Sequence, residues 1–111
     1  MAAPTELMKG NAAVLILSCL ARGPMHGYRI AKEIEQMSEG YFAMREGTLY
    51  AHLHQLEKDG LLESSWEPGA GNRERKVYRI TARGRAELAR RAKEWREFAS
   101  HVDRMLEWQP A

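Results

Sequence analysis

Cysteine and long apolar runs are scarce in this sequence, and its overall charge is small. The 111 residues include one cysteine, Cys19, which excludes an internal disulfide and a cysteine-rich zinc site. The apolar run AAVLILSCLA is about half as long as the ~20 residues that a membrane-spanning helix needs. Glu6 and Lys9 precede this run, and no small-residue cleavage pattern follows it. We therefore expect no signal peptide, no membrane partner and a cytoplasmic location.

The composition is that of one ordinary globular domain, with 44% hydrophobic and 29% charged residues and no repeat or low-complexity segment. Patterns that carry catalysis are also missing. The histidines His26, His52, His54 and His101 do not have the spacing of a metal site. No serine, cysteine or carboxylate pair is arranged with a base. We therefore expect neither an enzyme nor a bound metal or cofactor.

The net charge of +2 hides an uneven distribution along the chain. Residues 71–93 hold nine basic and two acidic residues, a local charge of +7, whereas the remainder holds eight basic and thirteen acidic residues, or −5. Such a basic segment is typical of a protein that binds a polyanion. The alternative is a solvated helix face whose charges are poorly matched.

Apolar spacing predicts helices over 6–22 and 26–38 and a third helix that begins near Arg45 and stops at Gly60. Two strands over 61–68 and 76–82 follow, separated by the glycine-rich, charged loop GAGNRER. A last helix starts at its N-cap Thr81 and extends to Trp108. This order predicts a mostly α winged helix-turn-helix with a two-stranded β-hairpin, over residues 1–84. Residues 85–111 are predicted to be a C-terminal dimerisation helix, continuous with that domain.

The third helix has the construction of a helix that reads DNA. Leu49, Leu53 and Leu56 share one side, so small and hydrogen-bonding residues occupy the other. Such a face fits the major groove, where Gln55 is the best candidate for a base contact. The candidate DNA-binding residues, taken with the turn before helix 2 and the basic hairpin, are His26, Tyr28, Thr48, Tyr50, Ala51, His54, Gln55, Lys58, Arg73, Arg75 and Lys76. The alternative is a capped, solvated helix with unremarkable polar residues.

The last helix carries a heptad-like apolar seam, longer than a domain of this size can cover. A second copy of the chain in a two-fold dimer is the simplest partner. The candidate dimer-interface residues are Leu88, Ala92, Trp95, Phe98, Ala99, Val102, Met105 and Leu106.

Three segments resemble the PadR family of bacterial transcriptional regulators over about residues 10–90. They are the G-P-x-H-G-Y turn at 23–28, the L-Y-x-x-L-x-x-L-E-x-x-G-L segment from Leu49, and the Y-R-I-T-x-x-G segment from Tyr78. The resemblance implies a homodimeric winged-helix repressor whose C-terminal helix forms the dimer contact, in the short-tailed branch of the family. It also implies that Tyr50 and its neighbours contact DNA. Ala51 stands where the family commonly has proline.

Two further interpretations follow from the resemblance and from the fold. Some relatives in that branch bind flat aromatic compounds between tryptophans of the dimer, which makes Trp95 a candidate ligand residue and a small aromatic effector a candidate partner. The alternative is an ordinary interface tryptophan. Some winged-helix domains bind other proteins and never touch DNA, so a protein-interaction module is the alternative function. Its surface would be apolar or acidic, whereas Arg73, Arg75 and Lys76 make this hairpin basic.

Overall fold

The computed structural model of the protein describes residues 2–108 and contains four helices and three strands within that range. In chain order, these elements are α1 (Thr5–Leu20), β1 (Met25–His26), α2 (Gly27–Met37), α3 (Glu46–Lys58), β2 (Leu62–Pro68), β3 (Glu74–Ile80) and α4 (Ala82–Glu107). The predicted winged helix-turn-helix with a long C-terminal helix is confirmed. The first helix ends at Leu20, two residues before the predicted position, and Ala21 forms its C-cap.

The sheet has three antiparallel strands in the order β1-β3-β2, so the expectation of only two strands is corrected. The additional strand is β1, in which Met25 pairs with Tyr78 and His26 pairs with Val77. A strand of two residues is too short to show an alternating pattern, which is why sequence periodicity does not reveal it. Its pairing fixes the start of α2 against the hairpin.

The hairpin turn is shorter than predicted. Pairing between β2 and β3 continues to Pro68 and Glu74, which leaves residues 69–73 as the turn. The Gly69 N–H donates to the carbonyl oxygen of Arg73 at 2.8 Å, and Gly71 adopts a φ of +70° that favours glycine. Arg75, which the sequence predicts in the loop with Arg73, therefore lies in a strand next to Lys76.

The core lies between α1, α2, α3 and the inner face of the sheet. Leu49, Leu53 and Leu56 are buried, as their spacing predicts. Cys19 is also buried, with its Sγ 3.6 Å from the Sδ of Met25, and burial raises the pKa of its thiol. The core thus anchors one face of α3 and leaves the other face in solvent.

A tight junction joins the end of α3 to the start of α4. Gly60 has a φ of +78°, and the N–H of Leu61 donates to the Leu56 carbonyl at 2.9 Å in a Schellman-type cap. Thr81, the N-cap of α4, accepts from the Gly84 N–H at 2.9 Å and donates from its hydroxyl to the Gly60 carbonyl at 2.8 Å. The N-cap of α4 is therefore hydrogen-bonded to the residues that directly follow α3.

The helix α4 is unbroken over its 26 residues and about 39 Å long at 1.5 Å per residue. The molecule measures 68 Å along its longest axis but only 31 Å across, so a helix of this length reaches beyond the body. The division between residues 84 and 85 stays a prediction. The end of the predicted C-terminal segment, residues 109–111, lies outside the described residues.

Candidate nucleic-acid interface

The solvent face of α3 presents the residues that its sequence pattern predicts. Thr48, Ala51 and His54 are exposed along this face. The amide of Gln55 donates to Oδ1 of Asp59 at 3.0 Å, so this exposed side chain is already oriented by a neighbour one turn away. The remaining predicted member, Lys58, is exposed in the last turn. The face is free of bulky apolar side chains and can approach a groove closely.

Tyr50 has a structural contact that its sequence position alone does not predict. A Cβ atom built on Gly27 would lie 2.5 Å from the Tyr50 hydroxyl oxygen, because the tyrosine ring packs directly over the first residue of α2. Gly27 is buried, whereas 40% of Tyr50 remains exposed. The tyrosine thus helps to set how α2 lies against α3 while it keeps an accessible edge.

A second cluster surrounds the start of α2. The rings of His26 and Tyr28 stack with centroids 6.5 Å apart, and the Nζ of Lys32 lies 5.6 Å from the Tyr28 centroid. Burial, followed by the nearby charges of Arg75 and Arg29, lowers the pKa of His26 below its usual value. Because β1 pairs with β3, the start of α2 and the basic hairpin form one continuous surface. Sequence reasoning missed this link and also missed Arg29 and Lys32.

The basic residues of the hairpin divide between two sides. Arg73 in the turn and Arg75 on β3 are exposed. Lys76 is partly buried on the opposite face of β3, where its Nζ lies 3.7 Å from Oε1 of Glu57 on α3. The other Glu57 oxygen accepts from the Ser64 hydroxyl at 2.5 Å. Lys76 therefore faces α3, and Glu57 contacts both strands of the hairpin.

The predicted dimer seam follows α4 from the body into solvent. Leu88 and Ala92 are partly buried, and Leu88 packs against the core. Farther along, Met105 is 77% exposed and Leu106 is 76% exposed. Of the remaining predicted members, Ala99 is partly buried, whereas Trp95, Phe98 and Val102 are exposed. The distal half of α4 is thus an apolar surface that the single chain leaves uncovered.

Trp95 also borders a cavity of ≈ 380 Å³ between α1 and α4. Tyr41 and Phe42, in the segment after α2, line its other side. The volume lies within the range of sites that hold small organic ligands.

The comparisons with known proteins agree with this architecture. The model of the Transcriptional regulator PadR-like family matches residues 16–90, which is more than half of the chain. The chain belongs to the PadR-like family. A PadR-like chain regulates transcription, so the predicted function is confirmed in outline, and so is the expectation that the protein is not an enzyme.

Individual relatives match over nearly the whole length of this PadR-like chain. It is 37% identical over 97 residues to the transcriptional regulator Rv3488 of Mycobacterium tuberculosis, with 87% of each chain covered. Among solved structures, a PadR family transcriptional regulator from Eggerthella lenta has a TM-score of 0.83 at 34% identity, covering 94% of this chain and 88% of that one. A transcriptional regulator from Clostridium thermocellum has a TM-score of 0.85 at 27% identity, with 94% and 98% covered.

Neither a membrane-spanning helix nor a group of metal ligands occurs in the described residues. Across residues 2–108, no helix combines the length and the apolar character needed to cross a membrane. In the same part of the chain, no three His, Cys, Asp or Glu side chains are grouped so that they can hold a metal ion.

Proposed function

We propose that this PadR-like protein is a homodimeric repressor that binds an inverted-repeat operator through α3 and the β2–β3 hairpin. The observation that carries the proposal is the continuity of one polar, basic surface. The solvent face of α3 is joined to the start of α2 by the contact between Tyr50 and Gly27, and the start of α2 is joined to the hairpin by the pairing of His26 with Val77. Helix α3, the start of α2 and the β2–β3 hairpin can then contact the same stretch of duplex DNA.

The roles of the residues follow from their placement. Gln55 and His54 lie on the exposed face that would enter the major groove, where amide and imidazole groups can bond base edges. Arg73, Arg75 and Tyr28 lie around it and suit phosphate oxygens, which fix the register of the protein without reading sequence. Each phosphate that a cation neutralises makes binding weaker as salt concentration rises.

The uncovered face of α4 supports the homodimer. Its apolar members continue beyond the body of the molecule, so one chain cannot bury them. A two-fold pairing of α4 helices would cover both faces at once, since an isologous contact uses the same patch on each chain. It would also set two α3 helices side by side, and dimers of this kind read half-sites about 34 Å apart.

The cavity beside Trp95 supports a role for a small aromatic effector. Its walls are almost entirely apolar, and it adjoins the seam where the partner chain would pack. A planar aromatic compound bound there would contact the indole ring and alter how α4 packs on α1. The same walls are also suited to side chains of a partner's α4, in which case Trp95 is an interface residue only.

Selection from a randomised duplex DNA pool tests the operator. We expect an inverted repeat with half-sites about one helical turn apart, bound by the wild type and weakened by the double substitution Arg73→Ala/Arg75→Ala. The matched control is Lys93→Ala/Arg96→Ala, which removes the same charge from α4 and should bind nearly as well. Sedimentation or light scattering on each protein should give the mass of two chains.

Recovery of no sequence at low salt by folded protein would refute DNA recognition, and an interaction module would then explain the winged fold. For the effector, a Trp66→Phe/Trp108→Phe variant leaves Trp95 as the sole tryptophan. Planar aromatic compounds should quench its fluorescence and release the selected operator. In vitro transcription from a promoter that contains this operator should fall when the protein is added, and a rise would contradict repression.

A further inference from the structure

Trp66 is an exposed aromatic residue that the proposed function does not use. It lies on β2 with 64% of its surface exposed. The other exposed tryptophans, Trp95 and Trp108, lie on or directly after α4. Trp66 lies on the hairpin instead and lines neither the seam nor the cavity beside Trp95.

The alternation of β2 shows which side the ring occupies. Leu62 is buried against the core, and Ser64, two residues later, bonds Glu57 of α3. Trp66 comes two residues later again and shares this face, because side chains alternate along a strand. Its partner across the hairpin is Lys76, which also faces α3. The indole therefore projects from the α3 side of the hairpin, about 7 Å closer to the turn than Ser64.

This position lies on the side of the β2–β3 hairpin (the wing) that faces α3, where Glu57 contacts Ser64 and Lys76. Arg73 is exposed in the turn beyond it, whereas Arg75 is exposed on the opposite face of β3. When α3 enters the major groove and the wing follows the adjacent phosphate backbone, the DNA strand between them has to pass over this side of the hairpin. An indole there meets the apolar faces of deoxyribose rings and the edges of bases, not water.

We infer that Trp66 is a DNA-contacting residue that packs on sugar and base edges between the two halves of the interface. This inference rests on the proposed function. The contact is apolar, and an aromatic ring that packs on sugars and bases stabilises the complex without neutralising phosphates. It therefore contributes to affinity independently of salt, unlike the cations around it.

The salt dependence of binding to the selected operator distinguishes Trp66 from its basic neighbours. We expect Trp66→Ala to weaken binding about tenfold, close to 1.4 kcal/mol, with the slope of log K against log salt unchanged. Arg75→Ala should instead make that slope shallower by about 0.9 for a lost phosphate contact. Trp66→Phe, which keeps an aromatic ring, should bind with intermediate affinity. Ser65→Ala, on the opposite face of the same strand, is the control and should bind like the wild type.

Fluorescence gives an independent readout. In a Trp95→Phe/Trp108→Phe protein, Trp66 is the only tryptophan, and its emission should change on titration with operator duplex. A Trp66→Phe/Trp95→Phe protein, which keeps only Trp108, should show no such change. Binding by Trp66→Ala equal to the wild type, with unaltered Trp66 emission, would overturn the inference and leave DNA binding intact. Absence of binding by the wild type would instead refute the proposed function itself.

Discussion

Substitution of Gly84 by alanine tests the junction between α3 and α4, because that junction decides whether the free energy of unfolding rises or falls. Gly84 lies in the first turn of α4, where helix propensity alone predicts that alanine stabilises the protein by about 1 kcal/mol. The structure predicts the opposite. A Cβ atom at this position would overlap the carbonyl oxygen of Leu61 and would lie 2.8 Å from Cγ1 of Ile80.

Relief of that overlap requires the first turn of α4 to move by roughly 1 Å. The movement strains the bonds from Thr81 to the Leu61 and Gly60 carbonyls, now 3.1 and 2.8 Å long, each of which contributes about 1 kcal/mol. Overpacking adds about 1–3 kcal/mol. The helix propensity of alanine offsets about 1 kcal/mol of these losses. We therefore expect Gly84→Ala to lower the free energy of unfolding by about 3 kcal/mol.

Gly10→Ala is the matched control, because Gly10 is an exposed helical glycine and a Cβ atom added to it would have no neighbouring atom within 4 Å. It should stabilise the protein by up to about 1 kcal/mol. Urea unfolding at one fixed protein concentration measures both variants, since the stability of a dimer depends on concentration. A Gly84→Ala protein as stable as the wild type, beside a stabilised Gly10→Ala protein, would refute the close approach.

Three other substitutions have expected outcomes. Glu39 has a φ of +52°, so Glu39→Gly should raise the free energy of unfolding by about 0.5–1 kcal/mol, and a loss in urea unfolding would contradict this strain. Glu57→Gln should keep the hydrogen bond from Ser64 but free Lys76 to contact phosphate, so operator binding measured by anisotropy should become tighter and depend more steeply on salt concentration. Weaker binding would show instead that the ion pair with Glu57 positions Lys76. The pKa of His26 is lowered in the free protein, and a phosphate favours its protonated form. Affinity should therefore rise as the pH falls below neutrality in the wild type and much less in His26→Gln. The same lowered pKa means that the folded protein binds fewer protons than the unfolded chain, so His26 should reduce stability in acid; a flat difference between the two proteins would count against both effects.

Sequence patterns predict the parts of the fold that local chemistry determines. The spacing of Leu49, Leu53 and Leu56 identifies the buried side of α3, and Thr81 identifies the start of α4. Each of these signals lies within one element, where a helical period or a capping side chain acts over a few residues. The uncovered seam of α4 is likewise visible in its heptad-like spacing.

The missing parts depend on contacts between distant residues. β1 exists because Met25 and His26 find partners more than fifty positions later. Sequence alone puts Arg75 in a loop because charged residues follow glycines there, but its pairing opposite Glu67 extends the strand. Once that strand begins at Glu74, alternation places Arg75 and Lys76 on opposite faces, so basic residues that look like one patch in sequence are divided between two faces of the hairpin.

The junction between α3 and α4 gives the proposed dimer a physical route to the proposed DNA contacts. The Thr81 hydroxyl, at the N-cap of α4, donates to the carbonyl of Gly60 in the turn after α3, and Gly84 lets α4 approach Leu61 without an intervening side chain. A pair of α4 helices would therefore set the distance between two α3 helices through hydrogen bonds and not through a flexible linker. Since Trp95 lies on the same helix, a change in packing at its cavity would rotate or shift α3 relative to its partner. Such a shift would lower the affinity of the dimer for an operator whose half-sites have a fixed spacing, because both α3 helices must fit their grooves at the same time.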